Sequence, residues 1–223
     1  MAIVSGRSGV FVLEHMPVRV IADGWRRRMA GRKQAHRLLR ERGDGDVHGG
    51  PIAYGEAELF RLLGAVRAPL LLVLDCVQDP HNLGACLRTA DAAGVQAVIV
   101  PARRSAPMTE TVRRIACGGA ESVPFVQVTN LARVLRRLKE EGVRVVGADH
   151  RARVSLFEED LTGSLALVIG GEDSGLRRLT AEICDGLVSI PMVGIVPCLN
   201  VSVAAGICLF EAVRQRLNVN RAR

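Results

Sequence analysis

Aromatic side chains are scarce, 3% of 223 residues with one Trp and one Tyr, which excludes a single-strand-binding platform of stacked rings. No apolar run approaches the ~18 residues that a membrane-crossing helix needs. The longest, around Leu70 to Leu74 and Leu165 to Ile169, have the length of buried strands. Glu14, His15, Arg19 and Asp23 interrupt what would be the apolar part of a signal peptide, so export is not expected and the protein reads as cytoplasmic, with no membrane contact. The six cysteines, Cys76, Cys86, Cys117, Cys184, Cys198 and Cys208, form no CxxC and no Cys/His pair at zinc spacing. No metal is therefore expected, and the thiols read as buried ones in a reducing compartment. Internal repeats and low-complexity tracts are also absent.

What the chain does have is apolar content, 48%, enough for a sizeable core in one main domain with a small appendage. It also has basic charge, +7 net. Most of that excess lies before Ala53, where ten basic residues face five acidic ones. Arginine supplies nearly all of the cations, and its planar fork suits bidentate phosphate contacts, so a polyanionic partner is expected. A solvated helix face would carry the same charges.

From Pro69 onward short apolar runs alternate with helical patterns. Strands are expected at Leu70–Asp75, Ala97–Val100, Val123–Val126, Val143–Ala148, Leu165–Gly170 and Leu187–Ile190. Between them lie 3.6-residue periods: Leu83, Cys86, Leu87 and Ala90, stopped near Gly94, then Leu131, Val134, Leu135 and Leu138 behind an Asn130 cap. The last helix, about Leu199 to Leu217, carries Val201, Ala205, Cys208, Ala212 and Val213 on one stripe. This alternation predicts an α/β fold, a mainly parallel sheet with helices on both faces. Before Pro69 the glycine-rich breaks at 43–46 and 49–51 leave a small basic unit at 1–53, joined by a linker or helix at 54–68 to a main domain at 69–223.

Three stretches interrupt the apolar pattern at strand ends, where open α/β sheets place ligands. In the first, residues 79–88, Asn82, Gly84 and Arg88 around a helix N-terminus suit a phosphate, with Arg88 expected beside that terminus and Gly84 admitting close approach. A capped helix with a surface arginine would look the same. The second, residues 170–175, offers Gly170, Gly171 and Glu172 at a strand–helix turn, which suits a ligand against the backbone or a plain turn equally. The third runs from Ile190 and Met192 through Cys198, Leu199 and Asn200 into the last helix, where capping by Asn200 and Ser202 is the simpler explanation. A nucleotide-dependent dehydrogenase is disfavoured, because Asp79-Pro80-His81-Asn82 replaces GxGxxG after the first strand.

Taken in order, LDCVQDPHNLGACLRTADAAG (74–94), LALVIGGEDSGLRRLT (165–180) and SIPMVGIVPCLNVSVAAGICLFEAVRQR (189–216) resemble the three signature motifs of the SpoU/TrmH class of RNA ribose 2′-O-methyltransferases, within the SPOUT superfamily. RIACGGAESVPFVQVTNLARVL (114–135) is similar to the same class, and the resemblance covers residues 69–217. It implies a trefoil-knotted α/β domain, its last helix threaded through a loop, and a homodimer whose active sites draw on both subunits. It implies methyl transfer from S-adenosylmethionine, without a metal, to a guanosine ribose 2′-hydroxyl of 23S ribosomal RNA. By position, the methyl donor is expected against Gly170, Gly171, Ile190, Met192, Cys198 and Leu199, while Asn82, Arg88, Glu172 and Asn200 match the polar motif residues with catalytic roles. The stretch Gly45 to Gly50 resembles the end of an RNA-recognition domain, shortened here.

The resemblance departs at Cys198, preceded by Pro197, where the class usually has Ser; a thiol is a weaker hydrogen-bond partner than a hydroxyl. The acceptor hydroxyl is a poor nucleophile until its proton leaves or its developing charge is stabilised. Arg88 is expected to supply that stabilisation, since a guanidinium stays protonated. A transfer-RNA methyltransferase and a non-catalytic RNA-binding or ribosome-assembly knot protein are the alternatives.

Overall fold

The computed structural model describes residues 53–172 and 175–219. The basic unit expected at 1–53 lies outside the described residues, apart from Ala53. In chain order the elements are α1 (Glu56–Leu63), β1 (Leu70–Asp75), α2 (Pro80–Ala93), β2 (Ala97–Pro101), α3 (Glu110–Ala116), α4 (Gly119–Ser122) and β3 (Phe125–Val128). They continue with α5 (Leu131–Glu140), β4 (Arg144–Ala148), β5 (Val154–Ser155), β6 (Leu165–Gly170), α6 (Arg178–Ile183), β7 (Gly186–Ser189) and α7 (Val201–Val219).

The seven strands form one sheet in the order β3-β2-β1-β6-β4-β7-β5, with every pairing parallel. LLLVLD of β1 and LALVIG of β6 are buried along their whole length, the unbroken apolar run of a parallel strand covered on both faces. Alternation along β1 sorts the core. Leu70, Leu72 and Leu74 pack with Leu83, Cys86 and Leu87 of α2 and Ala205, Cys208 and Leu209 of α7. Leu71 and Val73 face the other way, toward Leu59 and Leu62 of α1 and Val134, Leu135 and Leu138 of α5. Helices therefore cover both faces, and the α/β reading with its mainly parallel sheet holds.

Helix ends follow local chemistry. Asp79 accepts the His81 N–H at 2.9 Å, Pro80 opens α2, and Gly94 closes it at φ 73°, a left-handed residue that glycine adopts without strain. The Asn130 side chain accepts the Arg133 N–H at 3.0 Å, as the expected cap of α5.

Three details differ from expectation. The third strand starts at Phe125, not Val123, because the Val123 N–H closes α4 onto the Gly119 carbonyl at 3.0 Å and Pro124 has no N–H for a ladder. The two-residue β5 is too short to show a period, and α3 and α4 carried no periodic signal.

The register brings the strand ends level. Asp75 pairs with Gly170, and Ala148 with both Ile169 and Val188. The chain runs outward from β1 through β2 to β3 and then crosses to the other side, so the connections, not the strands, reverse their sense between β1 and β6, where open sheets form ligand crevices.

Candidate active site at the strand ends

Asn82 sits in the first turn of α2, 8% exposed. Its Nδ2 donates to Glu172 Oε1 at 2.7 Å, and its Oδ1 accepts from Asn200 Nδ2 at 2.9 Å. The carboxylate of an ionised Glu172 can only accept, so the orientation of the Asn82 amide follows from the network. Glu172 Oε2 also accepts the Gln78 N–H at 3.4 Å. Asn200 precedes α7, and its Oδ1 accepts from both the N–H and the hydroxyl of Ser202, at 2.9 and 2.7 Å. The capping explanation of Asn200 is thus correct, and it leaves Nδ2 free to reach across to Asn82. Polar residues from all three motif stretches meet at one point.

Arg88 does not join them. It is exposed and donates from Nη1 to Cys117 Sγ at 3.5 Å. The expectation that it stands beside the helix N-terminus is corrected: α2 begins at Pro80, so Arg88 lies roughly 12 Å along the axis, at 1.5 Å per residue. Gly84 is corrected too. A Cβ there would lie 2.8 Å from Ile115 Cβ and from the Val112 carbonyl oxygen; its bareness admits α3, not a ligand.

Next to the Asn82 cluster, at the ends of β4, β6 and β7, lies a cleft of about 270 Å³. Gly170, Gly171, Ile190, Met192, Cys198 and Leu199 all line it, as does Glu172. Its walls are apolar side chains such as Ile169, Val188 and Val201 interleaved with glycine backbone, which fits an adenine ring and a thioether chain held by main-chain polar groups. The two glycines serve protein packing. A Cβ on Gly170 would lie 2.0 Å from the Gly175 carbonyl carbon, and one on Gly171 would lie 2.2 Å from the Cys76 carbonyl oxygen. Of the two readings for this stretch, the turn accounts for the glycines, while the cleft accounts for where they lie.

The sequence did not single out the turn after β4, Asp149 to Arg151, which forms another wall of the cleft. Asp149 accepts from the Arg151 N–H at 2.9 Å, from Nε at 3.0 Å and from Nη2 at 2.8 Å. The Arg151 side chain chiefly holds the Asp149 carboxyl below its ordinary range. The only signal available was a polar strand end, and strand adjacency had to be known to use it.

Asp75, fully buried at the end of β1, was also missed. Arg177 grips it through Nε at 2.7 Å and Nη2 at 2.6 Å, and the Arg177 N–H adds a third bond at 3.1 Å. This ion pair pins the far end of the 171–177 segment to the strand beside it. The cysteines divide. Burial pushes the Cys86 and Cys208 thiols up to about 12, as expected of core thiols, whereas Cys117 and Cys198 are exposed and correct the reading of buried thiols.

Comparison with known proteins gives the family. The chain is 55% identical over 192 residues, 83% of its length and 78% of the relative's, to the 23S rRNA (guanosine-2′-O-)-methyltransferase RlmB of Vibrio vulnificus. It is 57% identical to the same-named protein of Escherichia coli K12 over 80% of its length and 76% of the relative's. Among solved structures, the SpoU methyltransferase AviRb of Streptomyces viridochromogenes in complex with AdoMet superposes with a TM-score of 0.65 at 32% identity, over 69% of this chain. The match spans 62% of that protein, less than two thirds of its length. The TrmH/SpoU tRNA modifying enzyme of A. aeolicus superposes at 0.63 with 34% identity, covering 74% of this chain and 85% of that one. The family model of the SpoU rRNA methylases matches residues 69–210, and the chain belongs to the SpoU rRNA Methylase family.

Proposed function

We propose that this protein transfers a methyl group from S-adenosylmethionine to the ribose 2′-hydroxyl of a guanosine in 23S ribosomal RNA. The observation that carries the reading is the bonded Asn82–Glu172–Asn200 cluster beside a cleft lined by all six residues expected to hold the methyl donor. Relatives at 55–57% identity named for this reaction support the substrate.

The bound donor supplies an electrophilic methyl on a sulfonium, which leaves as a neutral thioether. The cleft, through Gly170, Gly171, Ile190, Met192, Cys198 and Leu199, would hold and orient it. Glu172 positions Asn82 by taking its amide hydrogen, so that Asn82 and Asn200 present a fixed polar edge toward the acceptor ribose. Arg88 stabilises the charge that develops on the 2′-oxygen and holds the adjoining phosphate, as a permanently protonated group can, while the hydroxyl proton passes to a phosphate oxygen and from there to solvent.

In this reading the active form is a homodimer, and Arg88 reaches the cleft of the second copy. Two observations support it. Within one chain Arg88 is turned to Cys117, away from the Asn82 cluster. Val193 and Ile195 stand fully exposed in the loop before α7, with Val203 and Phe210 half-exposed on that helix, an apolar surface of the kind that marks a protein contact. The reading also takes the 190–200 segment and α7 as the threaded part of a trefoil knot, the basic segment up to Ala53 as a further RNA-binding unit, and the cytoplasm as the compartment.

Labelled S-adenosylmethionine with unmodified transcripts of 23S rRNA and of tRNA tests the assignment. Label in a 23S guanosine 2′-oxygen is the expected result. Label in tRNA alone moves the substrate, and none in either leaves a binding protein.

A further inference from the structure

The loop between β2 and α3, residues 102–109, has no part in the site described above. Arg103 and Arg104 in it are exposed, as is Arg114 on α3. None of the three guanidiniums has a hydrogen bond or ion pair among the described residues, although the Arg114 carbonyl accepts from Cys117 Sγ at 3.5 Å. Residues 102–118 carry four arginines against the single carboxylate of Glu110. Unpaired arginines on one short segment repel one another and gain nothing from the fold, which points to an anion supplied from outside.

The loop is tied to the site. The Ala106 N–H donates to the Val77 carbonyl at 2.9 Å, and the next residue, Gln78, donates its N–H to Glu172. Burial and the neighbouring Asp75 carboxylate push the Cys76 thiol up, while the guanidiniums of Arg177 and Arg104 act on it in the opposite sense. Backbone geometry marks the same region. Cys76, Arg104 and Cys117 are the non-glycine residues at positive φ among the described residues, at 67°, 63° and 49°. Such conformations persist where the surrounding structure enforces them, and they concentrate at working sites.

We propose that the 103–104 turn is a phosphate-binding element, in which Arg104 grips the RNA backbone next to the acceptor nucleotide, with Arg103 and Arg114 extending the track. The inference rests on the RNA-methyltransferase reading and adds where the strand lies: across the ends of β1 and β2, on the side of the Asn82 cluster away from the donor cleft. Phosphate contacts fix register without reading sequence. The loop therefore places the ribose and leaves the choice of nucleotide to other surfaces.

The test uses the full-length protein, an unmodified 23S rRNA transcript and S-adenosylhomocysteine. Arg104→Ala is expected to raise the RNA KM roughly fivefold and to lower the slope of log affinity against log salt by about one. Its affinity for S-adenosylhomocysteine should stay unchanged. Arg178→Ala, which removes an exposed arginine paired with Glu182 on α6, should leave both RNA quantities alone. An Arg104→Ala protein with wild-type RNA KM and salt slope overturns the assignment. Wild-type protein that fails to bind the transcript at all overturns the RNA reading of the cleft itself.

Discussion

Asn82 and Glu172, ninety residues apart in sequence, share a 2.7 Å hydrogen bond that leaves the Asn82 carbonyl facing Asn200. Glu172 is exposed but is the acceptor for the buried Asn82 amide, so truncating it to Ala should cost about 1–3 kcal/mol of stability at most, the penalty of a buried donor left unpaired. The same change frees the Asn82 amide to rotate. Methyl transfer should then fall on the order of 100-fold, the usual effect of losing a preorganised donor, with little loss of S-adenosylhomocysteine affinity. Equal losses in turnover and in donor binding would mean that Glu172, which also lines the cleft, acts by holding the donor and not by positioning Asn82.

The Asp75–Arg177 pair should dominate the stability of the strand-end region. Asp75 is fully buried, and removing Arg177 leaves its charge without a partner, which typically costs about 3–5 kcal/mol. Arg177→Met is expected near the low end, since Arg177 is partly exposed and water can enter. Asp75→Asn with Arg177→Met should recover much of the loss. Urea unfolding of the two single variants and the double variant gives the coupling directly.

Acid should weaken the wall of the cleft before the core. The folded-state value of Asp149 is depressed, chiefly by hydrogen bonds from the Arg151 side chain. A depressed carboxyl contributes stability that is fully present above its unfolded value of about 3.9 and is lost as pH falls through the folded one. Asp149→Asn should therefore be less stable than wild type at about pH 6, with the gap closing toward about pH 3. A gap that stays constant over that range would mean that the Arg151 contact contributes no net stability.

Gly171 leaves no room for a side chain. A Cβ there would sit 2.2 Å from the Cys76 carbonyl oxygen, a backbone atom that cannot rotate away. Gly171→Ala should cost about 1–3 kcal/mol by overpacking and reduce S-adenosylhomocysteine affinity, because the displaced backbone lines the cleft. Gly142→Ala is the contrast. Nothing lies near its Cβ, yet φ is 76°, so it loses stability through backbone strain alone and keeps donor affinity. Thermal unfolding together with calorimetric titration separates the two.

Much of this fold was legible because local chemistry and tertiary role coincide. The apolar runs of β1 and β6 are buried on both faces, and Asp79, Asn130 and Gly94 cap the helices they flank. What stayed hidden depended on neighbours in space. Gly84 resembles a ligand-facing glycine until α3 is seen lying against it. Asp149 and Arg151 belong to the cleft only because β4 is inserted between β6 and β7, an order that no local pattern encodes. Asp75 looks like an ordinary strand end, since its partner Arg177 is 102 residues away.

Arg88 is the residue whose sequence reading and position diverge most, and mixing two inactive variants decides between the explanations. If each cleft takes Asn82 from one copy and Arg88 from the other, an Arg88→Ala/Asn82→Ala mixed dimer keeps one intact site, built from the wild-type residue of each chain. With free exchange, half of the dimers are mixed, so activity should return to on the order of a quarter of the wild-type level in a symmetric pair. If instead both residues serve the same chain's cleft, every site in the mixture lacks one of them and nothing returns. An Asp at Ile195, which is fully exposed before α7, adds the control. If the proposed dimer forms through this surface, a charge there splits it through desolvation, and the recovery seen on mixing vanishes with it.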